Sequence, residues 1–361
     1  MIKIGIFGKT NTGKTTFFNV ATLQSGKVLP SPFTTKNPVY GISNISSACV
    51  CKELGVRDDP RNSLCIDNVR YVPFELVDLP GLIKGSWSGK GIGNEFLHVF
   101  SRLDALIHIV DVSGSVDIEG GISDSFDNDP ITDYFDIENE LVVWYMKDML
   151  RSKNHMMKIN KNTEKTTDVL MEIFKEKKIN KEEIKKTLDV TKLREKEIIK
   201  WDYNDQEKFS FYLRHISKPT IIIANKMDIG NADQNFMQMK KKLGDIKIFS
   251  MTETETLKEK VDGDTQKQTD VQSALNHLIL KILDYRIVYP IEKMDTLTDN
   301  QNRVLPDALL MRRGSTLKDL AEKIHSELAG ECLYGINART GVHLPNNYQI
   351  QDKDVLMLVT S

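Results

Sequence analysis

Eight residues near the start of the chain, Gly8-Lys9-Thr10-Asn11-Thr12-Gly13-Lys14-Thr15, have the spacing GxxxxGK[ST] and follow the strand-like run Ile2–Phe7. A strand feeding a glycine-rich turn that opens a helix aims backbone N–H groups and a positive helix end at an anion. That is the chemistry of holding nucleotide phosphates. The loop positions Thr12, Gly13 and Lys14, with Thr15 and Thr16 at the helix start, are the expected phosphate contacts. Lys14 can reach the β- and γ-phosphates, where it would stabilise charge during phosphoryl transfer, and the Thr15 hydroxyl can ligate Mg²⁺.

Three further motifs follow in order. Asp78-Leu79-Pro80-Gly81 ends the apolar run Phe74–Val77. Its aspartate is placed to hold Mg²⁺ through water, and the Gly81 N–H to meet a γ-phosphate and release it after cleavage. Pro32-Phe33-Thr34-Thr35 lies between this motif and the phosphate loop, where a threonine hydroxyl would complete the metal sphere. Thr35 is the favoured ligand, with Thr34 the alternative. Asn225-Lys226-Met227-Asp228 ends the run Thr220–Ala224. The Asp228 carboxylate can accept from guanine N1–H and the 2-amino group; adenine has neither donor, so it would leave the carboxylate unpaired. Asn225 would brace the loop, the Lys226 stem would cover the base, and a backbone N–H in Ser250-Met251-Thr252 would meet guanine O6. Four motifs in this order predict a GTP-binding P-loop domain.

These motifs need strands to present them. Ala105–Val110, Thr220–Ala224 and Ile246–Phe249 are short apolar runs rich in Ile and Val, each ended by a polar residue. This is the pattern of parallel strands buried on both faces, with ligands outside their carboxyl ends. The expected fold is α/β with a mostly parallel sheet, over residues 1–129 and 211–295. Residues 113–133 read as a loop. Helical spacing of Ile137, Leu141, Trp144, Tyr145 and Met149, and further helices near 164–176, 181–188 and 203–216, predict an inserted helical domain at 130–210. Asn180 and Glu183 have the spacing of a capping box. Residues 303–361 read as a small α+β module containing a helix over Leu317–Ile324 and a terminal strand, Val355–Val359.

A chain of 361 residues with 40% hydrophobic and 28% charged residues describes a globular protein of two or three domains, not a disordered one. No apolar stretch approaches the ~20 residues of a membrane span. The N-terminus enters a strand at once, so no signal peptide is expected. A net charge of −2 gives no global pull toward nucleic acid. Four cysteines are few and suit a reducing cytoplasm, where a monomer is expected. Cys49, Cys51 and Cys65 nevertheless sit close together, with Asp58 and Asp59 between them. They read either as a small zinc or redox site or as separate thiols on a strand and its loop. Lys175, Lys177, Lys178, Lys181, Lys185 and Lys186 crowd the helical insertion and read as a solvated face or as a surface for RNA or a ribosome.

Asp78–Gly85, followed by Gly89-Lys90-Gly91-Ile92-Gly93-Asn94-Glu95-Phe96-Leu97, resembles the second switch of the Obg-like GTPases. The Pro-Phe-Thr-Thr segment fits the same superfamily. The helical insertion resembles the coiled-coil domain of the YchF branch, and Arg313–His325, Asn337–Thr340 and Asp352–Val355 resemble a ubiquitin-like TGS domain. Cys49 to Asp67 is most similar to archaeal members. The resemblance spans the whole chain and implies a nucleotide switch that acts on ribosomes or RNA through the helical insertion and the TGS domain. Arg312, Arg313, Lys318, Lys323 and Arg339 would form the basic face of that module, or be ordinary surface charge. Many YchF members prefer ATP and lack the guanine-reading aspartate, whereas this chain has Asp228. Leu82 stands where Ras-like enzymes carry a water-orienting glutamine, so slow hydrolysis is expected. Asn11 resembles the asparagine that ligates K⁺ in cation-activated GTPases, or else it merely closes the turn. The rival readings are an ATPase of the YchF type and a nucleotide-gated binding protein whose hydrolysis is incidental.

Overall fold

The computed structural model describes residues 1–23, 37–82, 94–117, 119–152, 166–252 and 270–360. In chain order the elements begin with β1 (Lys3–Phe7), α1 (Lys14–Leu23), β2 (Val39–Ala48), α2 (Val50–Leu54), β3 (Leu64–Ile66) and β4 (Val69–Asp78). Next come α3 (Asn94–Ser101), β5 (Ala105–Asp111), α4 (Pro130–Arg151), α5 (Thr166–Ile173), α6 (Lys181–Thr191) and α7 (Tyr203–Ser217). Then follow β6 (Thr220–Asn225), α8 (Ala232–Leu243), β7 (Ile248–Ser250), α9 (Asp270–Asn276) and β8 (Tyr285–Ile291). The last are β9 (Leu309–Arg312), α10 (Leu317–Ile324), α11 (Leu328–Glu331), β10 (Cys332–Asn337), β11 (His343–Pro345) and β12 (Val355–Thr360). Two compact units contain these elements: Met1–Gly41 with Glu75–Val271, and Ile42–Phe74 with Gln272–Ser361.

In the first unit the end of β4 is followed across the sheet by β1, β5, β6 and β7, all parallel. Every residue of β5 is buried, as a strand covered on both faces must be. The registers Ile6↔Asp78, Asp111↔Asn225 and Ala224↔Ser250 bring the polar strand ends to one edge. Helix α4 starts on Pro130 behind the N-cap Asp129, whose carboxylate accepts from Ile131 N and Thr132 N. It extends further than the apolar spacing over 137–150 indicated. The expected capping box closes α6, Asn180 accepting from Glu183 N at 2.9 Å and Glu183 accepting from Asn180 N at 2.8 Å.

The insertion does not build a separate core. Trp144, Tyr145, Phe174, Leu188, Phe209 and Leu213 join Phe7, Val77, Leu79, Leu82 and Phe100 in one buried cluster. A fully buried ion pair ties it further: Glu138 of α4 meets Arg214 of α7 at 2.9 and 2.7 Å, and His108 of β5 at 3.2 Å. Burial raises the Glu138 carboxyl, but the Arg214 guanidinium and His108 outweigh it and hold the group at about 2. One of the crowded lysines is not on a solvated face: Lys177 is buried, pairs with Asp148 and lies 3.8 Å from the Trp144 ring centre.

In the second unit the sheet order is β11-β10-β12-β8-β9, with β12 parallel to β8 and the other pairs antiparallel. Helix α10, capped by Thr316 and Asp319, covers it through Leu317, Leu320 and Ala321, which pack on Val288, Met311 and Leu356. Thus β8 completes the C-terminal sheet, although its sequence lies before the expected module boundary. Strands β3 and β4 form a hairpin whose two turn residues, Asp67 and Asn68, both have positive φ (49° and 63°), matching the right-handed strand twist.

Candidate functional site

The phosphate loop is shaped by positive φ at Gly8 (146°), Asn11 (60°) and Gly13 (93°). A Cβ at Gly8 would lie 2.3 Å from Ile109 O, and one at Gly13 would lie 2.0 Å from Asn225 Nδ2, so only glycine fits at either place. Thr12 Oγ1 donates to Lys9 O at 3.0 Å, closing the turn from within. Lys14 is buried, its Nζ donating to Lys9 O at 2.6 Å. Burial pulls its pKa from 10.5 to about 8, partly opposed by the Asp78 carboxylate.

Thr15 Oγ1 donates to Asp78 Oδ2 at 2.8 Å. A hydroxyl and a carboxylate thus stand side by side at the mouth of the loop, a hard oxygen donor set that suits Mg²⁺. The pair is brought together by the β1–β4 register. The chain beyond stays in step with the loop, with Leu79 N donating to Ile6 O and Leu82 N to Gly8 O, both at 3.0 Å. Gly81 lies against Thr10, where an added Cβ would sit 2.5 Å from Thr10 Oγ1. Leu82 is buried among Val77, Leu79 and Phe100. An apolar side chain packed in the core orients no water. Thr34 and Thr35 lie outside the described residues, as do Thr34's neighbours Pro32 and Phe33 and the second-switch residues 83–93.

At the other end, Asn225 Nδ2 donates to Thr12 O at 2.9 Å, joining the base-side loop to the phosphate loop. Its Oδ1 is buried without a hydrogen-bond partner among the described residues, an acceptor left over at the centre of the cradle. Lys226 has φ 62°, and its Nζ reaches Asp111 Oδ2 at 3.0 Å and Ser115 Oγ at 2.9 Å, so its stem is held at both ends. Asp228 is exposed at the loop tip. Met251 is buried, and its N–H donates to Ala224 O at 2.9 Å. Ser250 ends β7 in register with Ala224. Thr16 continues α1 beyond Thr15.

Sequence reasoning missed the outer wall. The segment between β5 and α4 folds back on the phosphate loop: Asn11 Nδ2 donates to Gly120 O at 2.8 Å, and Gly120 itself abuts Thr10. Lys9 Nζ meets Asp133 Oδ1 of α4 at 2.7 Å, with both side chains largely buried. Asp111 accepts from Ser113 Oγ at 2.6 Å and from Ser115 Oγ at 2.8 Å. The Asp-x-Ser-x-Ser spacing at the end of β5 was the available signal, although Gly120 carried none. On the C-terminal module, the basic residues are partly engaged: Arg339 pairs with Glu53 at 2.7 Å, Arg313 with Asp284 at 3.3 Å, and Lys323 donates to Leu310 O at 2.7 Å. Among the described residues no helix is long and apolar enough to cross a membrane.

Comparisons with known proteins agree with this geometry. Residues 3–226 match the family described as 50S ribosome-binding GTPase, and residues 301–360 match the TGS domain. A GTP-binding protein of Methanocaldococcus jannaschii is 33% identical over 396 aligned positions that cover all of both chains. The crystal structure of a GTP-binding protein from Pyrococcus horikoshii OT3 superposes with a TM-score of 0.79 at 25% identity, covering all of both chains. The YchF GTPase of Schizosaccharomyces pombe shares the fold, with a TM-score of 0.58 at 20% identity over 99% of this chain and 97% of its own. The chain belongs to the 50S ribosome-binding GTPase family and carries a C-terminal TGS domain.

Proposed function

We propose that this protein binds GTP with Mg²⁺, hydrolyses it slowly to GDP and phosphate, and works as a nucleotide-dependent switch on a ribosome or RNA. The carrying observation is the bond from Asn225 to Thr12, which couples a guanine-reading loop to a phosphate loop that already pairs Thr15 with Asp78. Lys14 and the N–H groups of Thr12, Gly13, Thr15 and Thr16 would hold the β- and γ-phosphates. Mg²⁺ on Thr15, Asp78 and Thr35 would neutralise the charge that develops as the γ-phosphoryl leaves. Gly81 would donate its N–H to the γ-phosphate and release it after cleavage. The burial of Leu82 supports slow turnover, because no side chain at that place aligns the attacking water. K⁺ held by the Asn11 carbonyl oxygen, or a bound ribosome, would supply the missing stabilisation. In this reading, Asp228, with Ser250 and Met251 behind it, selects guanine, while the helical insertion at 130–210 and the TGS domain at 303–361 carry the switch to its partner. The protein acts as a cytoplasmic monomer.

Asp228→Asn tests the base assignment. Two charge-assisted hydrogen bonds at ~1.5–3 kcal/mol each would be lost, so guanine affinity should fall about 10²- to 10⁴-fold. Affinity for xanthosine diphosphate should rise, because its 2-oxo group accepts where the 2-amino group of guanine donates. Equal GTP and ATP affinities in the unaltered protein would sink the guanine reading and favour an ATPase. Turnover in K⁺ against Na⁺, with Asn11→Ala alongside, tests the cation: equal rates that Asn11→Ala leaves unmoved would remove it. A ribosome interaction that ignores the bound nucleotide would count against a switch.

A further inference from the structure

We infer that Cys49, Cys51, Asp58 and Cys65 form a structural zinc site in the chain between β2 and β4. Their four ligand atoms all lie within 4.8 Å of one another. Two of the six edges match those of a coordination tetrahedron. Zinc–sulfur bonds of ~2.3 Å at tetrahedral angles put sulfur atoms about 3.8 Å apart, and a sulfur about 3.5 Å from a carboxylate oxygen bonded at ~2.0 Å. Cys51 Sγ and Cys65 Sγ are 3.9 Å apart, and Cys49 Sγ is 3.4 Å from Asp58 Oδ2. A disulfide would need ~2.05 Å, so the two sulfurs face each other at a metal's spacing.

Independent backbone constraints bring the four together. Cys49 is the N-cap of α2 and its N–H donates to Asn68 O at 2.7 Å, closing the base of the excursion. Cys51 lies in the first turn of α2, and Gly55, at φ 65°, ends that helix so that the chain can turn toward Asp58. Cys65 sits on β3 opposite Arg70 of β4. Arg70 and Asn68 pack around the cluster. The fully buried Arg70 meets Asp58 Oδ2 at 2.9 Å and spans to Ser63 Oγ and Leu305 O, both at 2.9 Å, while Asn68 Oδ1 lies 3.6 Å from Cys51 Sγ. The Arg70 guanidinium would orient the Asp58 ligand and offset part of the negative charge of three thiolates and a carboxylate. The sulfur-rich donor set selects zinc over Mg²⁺ or Ca²⁺. The metal would close a loop that has little helix or sheet of its own, and hold the register of the strands on either side of it.

The test is metal content of the full-length protein, by plasma mass spectrometry, followed by chelation and Co²⁺ titration. The expected results are one zinc per chain as isolated and, for Co²⁺, the intense visible absorption of a tetrahedral thiolate complex. Cys65→Ser should weaken metal binding about tenfold or more, while Cys332→Ser, whose thiol lies outside the cluster, should retain the metal. If Cys65→Ser fails to fold, the Co²⁺ spectrum of the unaltered protein decides. No bound zinc with only the pale octahedral Co²⁺ spectrum, or an intact mass lower by two hydrogens through a Cys51–Cys65 disulfide, would overturn the site.

Discussion

Replacing Asn225 by alanine probes whether the base and phosphate ends of the site are one mechanical unit. Asn225 is 4% exposed, and its Nδ2 is bonded to the carbonyl of Thr12, itself 2% exposed. Removing the donor leaves a buried carbonyl unpaired, which costs about 1–3 kcal/mol. That cost falls on the loop conformation that nucleotide binding requires, so dissociation constants should rise about 5- to 150-fold. Asn225→Asp keeps the shape but sets a carboxylate against Thr12 O, so its loss should be larger still. The assay is titration of fluorescent GDP and ADP analogues, with thermal melts to confirm that the variants fold. Because the bond supports the loop and does not read the base, GDP and ADP should weaken by the same factor. Asp228→Ala should instead erase the GDP preference alone. A change of less than about twofold in Asn225→Ala, or one confined to GDP, would refute the bracing role.

Other expectations concern the fold beneath the site. Glu138 is held at about 2 when folded, below its ordinary 4.5, so its contribution is full above that ordinary value and is lost as pH falls from 4.5 toward 2. The shift corresponds to about 3 kcal/mol. Urea unfolding should therefore show the stability gap between the unaltered protein and Glu138→Gln shrinking by that amount between pH 5 and pH 2, and a constant gap would contradict it. At neutral pH, Arg214→Met should cost about 3–5 kcal/mol by stranding the Glu138 carboxylate. Leu82→Gln should not restore fast hydrolysis. It should destabilise the protein by about 1–3 kcal/mol, because the new amide is buried without a partner; an accelerated turnover with unchanged melting would show that the side chain turns outward. Gly120→Val, at φ 87° and against Thr10, should push the outer wall off the phosphate loop and weaken nucleotide binding, read in the same fluorescence titration.

The strand ends were legible because each is a local signal. An Ile- and Val-rich run closed by Asp78, Asp111, Asn225 or Ser250 reads as a buried parallel strand with its carboxyl end at a ligand, and the registers align those ends. The capping box of α6 was visible for the same reason, since Asn180 and Glu183 are three residues apart. The wall over the phosphate loop was not visible. Asn11 and Gly120 are 109 residues apart, and a backbone carbonyl has no sequence signature. The lysine-rich stretch is solvated at Lys175, Lys178, Lys181, Lys185 and Lys186, but its charge pattern says nothing of Trp144, which covers Lys177 from α4.

From residue order alone come the phosphate loop and the roles proposed for Asp78 on the metal and Asp228 on the base, because such chemistry depends on spacings of a few residues next to a strand end. Tertiary packing alone decided two other things: that the helical insertion shares the core of the sheet, and that Glu138 and Arg214 meet across 76 residues. These contacts form between elements distant in the chain. What stabilises them is burial and charge pairing in three dimensions, which leaves no period or motif in the sequence.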